Sequence, residues 1–269
     1  MLEWIARGLS KGRVTTRYPA RAEQGPPGYR GSVEVVESAG ADSIGSSAGA
    51  ELPGALATVC PTGAISVDGG DVRLDRARCI LCGDCVRAAP DWFEFSERYE
   101  TAARSRAGLI VRGMHGDEEV EPERRALGEQ VRALRRSIHV RHIDCGSDGA
   151  EEWEIQALWN PFYDIQRLGF FLTAAPRHAD VLLVTGGVTG PMRAPLERTW
   201  DVMPEPKALV AVGTDACSGG LAAAGGLVAG GVGEVLDVDV YVPGSPPAPI
   251  AIMHGLLLAV GLLREERRA

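Results

Sequence analysis

Apolar positions along the chain fall into two regimes. Up to about residue 110 they come in short bursts. Residues 1–14 carry Leu2, Ile5 and Leu9 at helical spacing, which predicts an amphipathic helix. The Pro/Gly-rich stretch "RYPARAEQGPPGYRG" (17–31) reads as extended chain. "SVEVVE" and "AISVDGGDVRLD" read as short β-strands, and the "DGGD" between Val67 and Val72 is a hairpin signal. "DEEVEPERRALGEQVRALRRS" (117–137) reads as a charged helix or linker, so the chain is expected to divide between residues 100 and 120.

Beyond that point the apolar runs become continuous. "ADVLLVTG" (179–186), "KALVAVGTD" (207–215) and "VDVYVPG" (238–244) are each apolar nearly throughout, with helical stretches between them. Buried apolar strands alternating with helices predict a parallel sheet covered on both faces. Such folds place their sites in loops leaving the carboxyl ends of the strands, here "TGGVTGP", "GTDACSGG" and "PGSPPAP". The first lacks the Lys-Ser/Thr ending of a phosphate-binding P-loop, so no nucleotide site is expected there.

Composition narrows the classes. With 269 residues the chain is long enough for two modest domains, and its formal charge of −8 argues against nucleic acid as a partner. "MLEWIARGLSKGRV" carries charges where a signal peptide would be apolar. The Gly-rich "GGLAAAGGLVAGGVGEVL" and the short "IAIMHGLLLAVGLL" are poor membrane spans. No Ser/His/Asp grouping suggests a hydrolase, and no catalytic site is expected in this chain.

Cysteine spacing carries the chemistry. Four of the six cysteines crowd between positions 60 and 85, which favours metal or redox ligation in a reducing compartment. "CILCGDCVRAAP" holds Cys79, Cys82 and Cys85 as Cys-x-x-Cys-x-x-Cys. In bacterial ferredoxins the run ends in a fourth cysteine before proline, which serves the other cluster. Here that position is Ala89, ahead of Pro90, and "VCPTGAI" supplies the missing ligand as Cys60 before Pro61. Cys60, Cys79, Cys82 and Cys85 therefore make one complete set for a [4Fe–4S] cluster, with zinc as the alternative ion for four thiolates. Counting back from Cys60 gives Leu56, Pro53 and Ala50 where the partner cluster would need cysteines, so one cluster of two is retained.

The rear half resembles the small subunit of membrane-bound, energy-converting [NiFe] hydrogenases and formate hydrogenlyases. That family is related to the complex I subunit that carries the terminal cluster. The resemblance rests on "SIHVRHIDCGS", "EIQALWNPFYDIQRLG", "PRHADVLLVTGGVTGPM", "MPEPKALVAVGTDACSGG" and "VDVYVPGSPPAP". The first hundred residues resemble the two-cluster ferredoxin subunit of the same complexes, including "GRVTTRYP" and "PPGYRG", so the chain looks like a fusion of two neighbouring subunits. In the family a proximal [4Fe–4S] cluster is held by three loops. Carried onto this sequence, its four ligand positions are Asp148, Glu151, Asp215 and Ser245, while Cys145 and Cys217 fall beside ligand positions. The resemblance thus implies a degenerate site without its cluster. Three fates are open for it: a network of acids, salt bridges with Arg141 or Arg177 and water; a hard divalent cation on the oxygen donors; or a rescue cluster using Cys145 and Cys217. Close carboxylates raise one another's pKa, which makes the pocket a candidate for proton handling. His142 is expected to position the first loop, and Arg177 to face the large subunit.

The expected fold is an α+β ferredoxin-like N-terminal domain (1–110), a helical linker (111–136), and an α/β flavodoxin-like three-layer domain with a parallel sheet (137–269). The resemblance implies an iron–sulfur electron-transfer subunit of a hydrogenase-related or complex I-like oxidoreductase, or else a redox-inactive coupling subunit. The implied partners are a hydrogenase large-subunit-like protein or its complex I counterpart and, indirectly, antiporter-like membrane subunits. The implied location is cytoplasmic, peripheral on the inner face of the cytoplasmic membrane.

Overall fold

Val181–Thr185 and Ala208–Val212 are buried at every position, yet each strand feeds two cores. Successive side chains of a strand point to opposite faces. Val181, Leu183, Val210 and Val212 enter one core, and Leu182, Val184, Leu209 and Ala211 enter another. A continuous apolar run is what a sheet covered on both sides requires.

A computed structural model describes residues 2–23, 25–36, 57–68, 71–112 and 137–263. Helix α1 (Leu2–Lys11) opens the chain, with Ile5 and Leu9 exposed. Two small antiparallel sheets follow. Strand β1 (Ser32–Val35) pairs with β4 (Phe93–Ser96). The expected hairpin forms from β2 (Ile65–Asp68) and β3 (Asp71–Asp75), with Val67 opposite Val72, and β5 (Ile110–Arg112) adds to it. The short helix α2 (Asp84–Ala88) holds Cys85. These elements share a core of Val33, Val35, Ile65, Val72, Leu74, Phe93 and Val111.

The rear sheet is parallel and five-stranded. Its strands are β6 (Ile138–Asp144), β7 (Phe170–Leu172), β8 (Val181–Thr185), β9 (Ala208–Val212) and β10 (Val240–Val242), in the spatial order β10-β9-β8-β6-β7. Counted from β6, this is the 2-1-3-4-5 order of flavodoxin-like sheets, whose chain direction switches at the first strand. The sequence reading finds three of these strands and misses two. In β6 the residues His139, Arg141 and His142 interrupt the apolar run, and β7 has only three residues. Helices α3 (Ala150–Ala157) and α6 (Pro249–Ala259) cover one face. Helices α4 (Gly190–Asp201) and α5 (Thr214–Ser218) cover the other. Every residue of α6 is buried, so its apolar character serves the core. Among the described residues no helix is long and apolar enough to cross a membrane.

Front and rear segments are interlocked. Tyr18 is buried in the rear core, and Thr16 donates its N–H to the Phe162 carbonyl at 2.8 Å. Ala103 and Tyr241 exchange backbone hydrogen bonds at 3.0 and 2.8 Å. That bridge covers part of the free edge of β10, an otherwise unpaired row of backbone groups. The linker expected over 111–136 lies outside the described residues except for Val111 and Arg112, which belong to β5; the partner-cluster positions Ala50, Pro53 and Leu56 also lie outside.

Candidate iron–sulfur site and acidic pocket

Two turns bring the four expected cysteines to one place. Cys60 sits in the turn before β2, where its Sγ accepts the Ala64 N–H at 3.2 Å and lies 3.4 Å from the Thr62 hydroxyl. Cys79 and Cys82 lie on the loop leading into α2, and Cys85 in that helix's first turn. That loop is bent by a left-handed glycine, Gly83 (φ 79°), and by Leu81 (φ 56°). A non-glycine residue held there costs roughly 1 kcal/mol or more, so the loop's path is imposed by what surrounds it.

All four sulfur-bearing residues line a single pocket, walled by Val33, Ile65, Leu74 and Ile80. Cys85 is buried and the other three are half-buried. Burial pushes the Cys79 thiol up to about 12, opposed by a backbone hydrogen bond at Leu81 and reinforced by Cys85, Cys60 and Cys82. Cys85 is raised for the same first reason. Thiols stacked in an apolar pocket resist ionisation unless a cation takes the place of their protons. Tetrahedral zinc, at about 2.3 Å per sulfur, draws its ligands within roughly 4 Å of one another. Four cysteine sulfurs on one pocket are the donor set that a [4Fe–4S] cluster takes.

The degenerate positions gather at the carboxyl ends of the parallel strands. Asp144 closes β6 and its carboxylate accepts the N–H groups of Gly146 and Ser147, both at 2.8 Å, which turns the chain toward α3. Asp148 lies exposed in that turn and accepts the Ala150 N–H at 2.9 Å. Glu151 starts α3 and is only 4 % exposed. Its Oε1 abuts Gly213, where a Cβ would collide with it, and its Oε2 has no hydrogen-bond partner. Gly213 (φ 93°) is therefore required both for its backbone angle and for this approach. Asp215 is half-buried on α5, with its carboxylate against Gly220. Ser245 is exposed, after the end of β10.

Burial pushes the Glu151 carboxyl up to about 7, its own backbone N–H works the other way, and Asp148, Asp215 and Glu152 add to the rise. Asp215 is raised by burial and then by Asp148. The salt bridges expected from Arg141 or Arg177 do not form. Among the described residues Arg76 pairs with Glu34, Arg106 with Asp75 and Lys207 with Glu205, and no ion pair reaches Asp148, Glu151 or Asp215. Cys145 and Cys217 are sealed in the rear core at 0 % and 3 % exposure, and the Cys217 thiol faces the Ala211 carbonyl at 3.8 Å. Arg177 and His178 are exposed on a turn before β8.

Other functional contacts are invisible in the sequence. Glu152, beside Glu151, accepts hydrogen bonds from Ser147 Oγ at 2.8 Å and from Thr185 Oγ1, and His142 Nε2 lies 3.0 Å from that same threonine oxygen. Burial holds the His142 imidazole below its usual value, against the pull of Glu152 and Asp144. Thr214 donates its hydroxyl to the carbonyls of Cys79 and Gly244, both at 3.1 Å. Ser218 Oγ donates to the Ala77 carbonyl at 2.7 Å. No sequence signal marks these residues, because their partners are far along the chain. Through them the front cysteine loop rests directly on the acidic loops.

Comparison with known proteins supports both halves. Residues 148–259 match the family described as NADH ubiquinone oxidoreductase, 20 kDa subunit, and residues 72–130 match a 4Fe–4S single cluster domain. The second match contains Cys79, Cys82 and Cys85 and begins after Cys60. The chain is 40 % identical to Escherichia coli formate hydrogenlyase subunit 7 over 52 % of its own length, and it spans about half, 54 %, of that relative. It is 37 % identical to a probable membrane-bound hydrogenase subunit of Pyrococcus furiosus, over 51 % of this chain and 85 % of that one. It is 40 % identical to the B-type chain of the NADH-quinone oxidoreductase of Citrifermentans bemidjiense, over 43 % of this chain and 68 % of that one.

Proposed function

We propose, from the premise that this chain belongs to the NADH ubiquinone oxidoreductase 20 kDa subunit family, that it is the iron–sulfur electron-transfer subunit of a membrane-associated, hydrogenase-related complex. The observation that carries this is the convergence of Cys60, Cys79, Cys82 and Cys85 on one pocket whose loop leans on the family's site loops. These four residues would hold one [4Fe–4S] cluster, which supplies one-electron exchange when bound. The chain's own residues do the rest. Val33, Ile65, Leu74 and Ile80 give the pocket an apolar wall, and the Ala64 N–H supports the Cys60 sulfur. Amide hydrogen bonds and an apolar wall are the levers by which a protein tunes such a group.

The rear loops hold oxygen donors, not thiolates, at Asp148, Glu151, Asp215 and Ser245. Iron–sulfur clusters are held by thiolates, so the count in this reading is one cluster. Residues 1–110, extended by β5 to Arg112, act as the ferredoxin-like unit, the rest of 111–136 as the linker and 137–269 as the flavodoxin-like unit. The partner of the rear loops is a subunit like the hydrogenase large subunit or its complex I counterpart. Membrane subunits of antiporter type lie beyond it, and the assembly sits on the inner face of the cytoplasmic membrane. Bond chemistry belongs to that partner.

Iron analysis and EPR of anaerobically purified protein test this reading. About four irons per chain and one cubane signal are expected. A count near eight would place a second cluster in the chain, and zinc without iron would overturn the electron-transfer role.

A further inference from the structure

A buried carboxyl oxygen without a partner is unusual enough to need a reason. Glu151 has one. It is 4 % exposed, its Oε2 has no hydrogen bond, and none of the ion pairs among the described residues includes it. It is also close to the front cysteine loop. Gly213, against which Oε1 is pressed, is followed by Thr214, and Thr214 donates to the carbonyl of Cys79. One peptide unit therefore separates the residue Glu151 touches from the residue that touches a thiol-bearing position.

We propose that Glu151 is a redox-linked proton site, taking up one proton when the cluster held by Cys60, Cys79, Cys82 and Cys85 takes up one electron. The step balances in charge. A one-electron donor reduces the cluster by one unit, a solvent proton forms an O–H bond on Glu151 Oε2, and the net charge of cluster plus carboxyl is unchanged. Burying a new negative charge without compensation is costly in a site of low dielectric; a nearby basic oxygen that can be neutralised lowers that cost.

Apart from its own backbone N–H, the groups around Glu151 push in the same direction. Asp148 faces it from the turn after β6, Glu152 from its own helix, and Asp215 and Cys217 from α5. All four are acidic groups. The Glu152 carboxylate is already occupied by Ser147 and Thr185, with His142 at 3.5 Å, whereas Glu151 Oε2 has no partner. Burial already brings its carboxyl to about 7 before any cluster charge is counted. Asp148 is exposed and Asp215 half-buried, and both act electrostatically on the Glu151 carboxyl. The pocket has lost the ligands of one cluster and, in this reading, serves the charge state of another.

This inference rests on the one-cluster reading above, and the experiment separates the two. The midpoint potential of the front cluster is measured by EPR-monitored redox titration, with mediator dyes as the one-electron donors, at several pH values from 6 to 9. The expected result is a potential that falls as pH rises above 7, by at most the tenfold per pH unit that corresponds to about 59 mV for one electron, and levels off toward pH 6. In Glu151→Gln the potential should not change with pH across that range. A cluster signal whose pH slope is the same in both proteins, or absent from both, overturns the inference and leaves the one-cluster reading standing. Absence of any cluster signal overturns both. Should Glu151→Gln fail to fold, the wild type carries the test alone. Its reduced-minus-oxidised infrared difference spectrum at pH 8 should gain a carboxylic-acid carbonyl band, and a spectrum without that band overturns the inference.

Discussion

Thr214 and Cys79 lie 135 positions apart in sequence, yet the threonine hydroxyl donates to the cysteine carbonyl at 3.1 Å. The same hydroxyl lies 3.1 Å from the Gly244 carbonyl, so one buried side chain ties the cysteine loop to two rear loops. The Gly244 carbonyl also accepts the Thr214 N–H at 2.8 Å, so an isosteric apolar group takes the hydroxyl donor from the Cys79 carbonyl, at a cost of about 1–3 kcal/mol. Thr214→Val should lower the unfolding free energy in urea by that amount while Thr214→Ser stays near wild type, and equal values for all three would show that the tie contributes nothing.

Cysteine substitutions should divide into two classes. Cys60→Ala is expected to lose the visible absorbance and most of the iron, although Cys60 lies ahead of the matched single-cluster segment. Cys217→Ala, sealed in the rear core, should keep its iron and lose only packing. Retention of full iron by Cys60→Ala would remove it from the ligand set.

Glu151 should make stability depend on pH in a direction opposite to a salt-bridged acid. Its folded pKa of about 7 lies above the unfolded value near 4.3. The folded state then binds the proton more tightly, and stability falls as pH rises from the unfolded value through the folded one. Glu151→Gln removes that loss. It should stabilise the protein by up to about 3 kcal/mol at pH 8, from about 1.4 kcal/mol per pKa unit, and by progressively less toward pH 5. Denaturant unfolding at the two pH values measures the difference; a gain that is the same at both refutes the burial argument.

Gly213 is tested through Glu151. A Cβ at Gly213 meets both a positive φ of 93° and the Glu151 carboxylate. Gly213→Ala alone is expected to cost about 1–3 kcal/mol from the backbone, plus the collision. In a double-mutant cycle with Glu151→Ala the collision part should disappear, giving a coupling energy of about 0.5–3 kcal/mol. Additive losses would mean that the two groups do not press on each other.

Much of the fold could be read directly. Val181–Thr185 and Ala208–Val212 are apolar at nearly every position because both faces of the sheet are covered, and that pattern identifies a buried parallel strand in the sequence. The hairpin that pairs Val67 with Val72 is signalled by the "DGGD" between them. Strand β6 escaped because His139, Arg141 and His142 sit on it, and β7 because three residues carry too little pattern.

What the sequence by itself determined is the chemistry of each position: thiols at 60, 79, 82 and 85, and oxygen donors at 148, 151, 215 and 245. Residue type is local information, and so are spacing and alternation. Only the tertiary structure decided which of the acids is buried and without a hydrogen bond on one oxygen, that Arg141 and Arg177 do not pair with them, and that the cysteine loop rests on the acidic loops. Burial and long-range hydrogen bonds depend on which distant segments pack together, and no pattern within one segment records its neighbour.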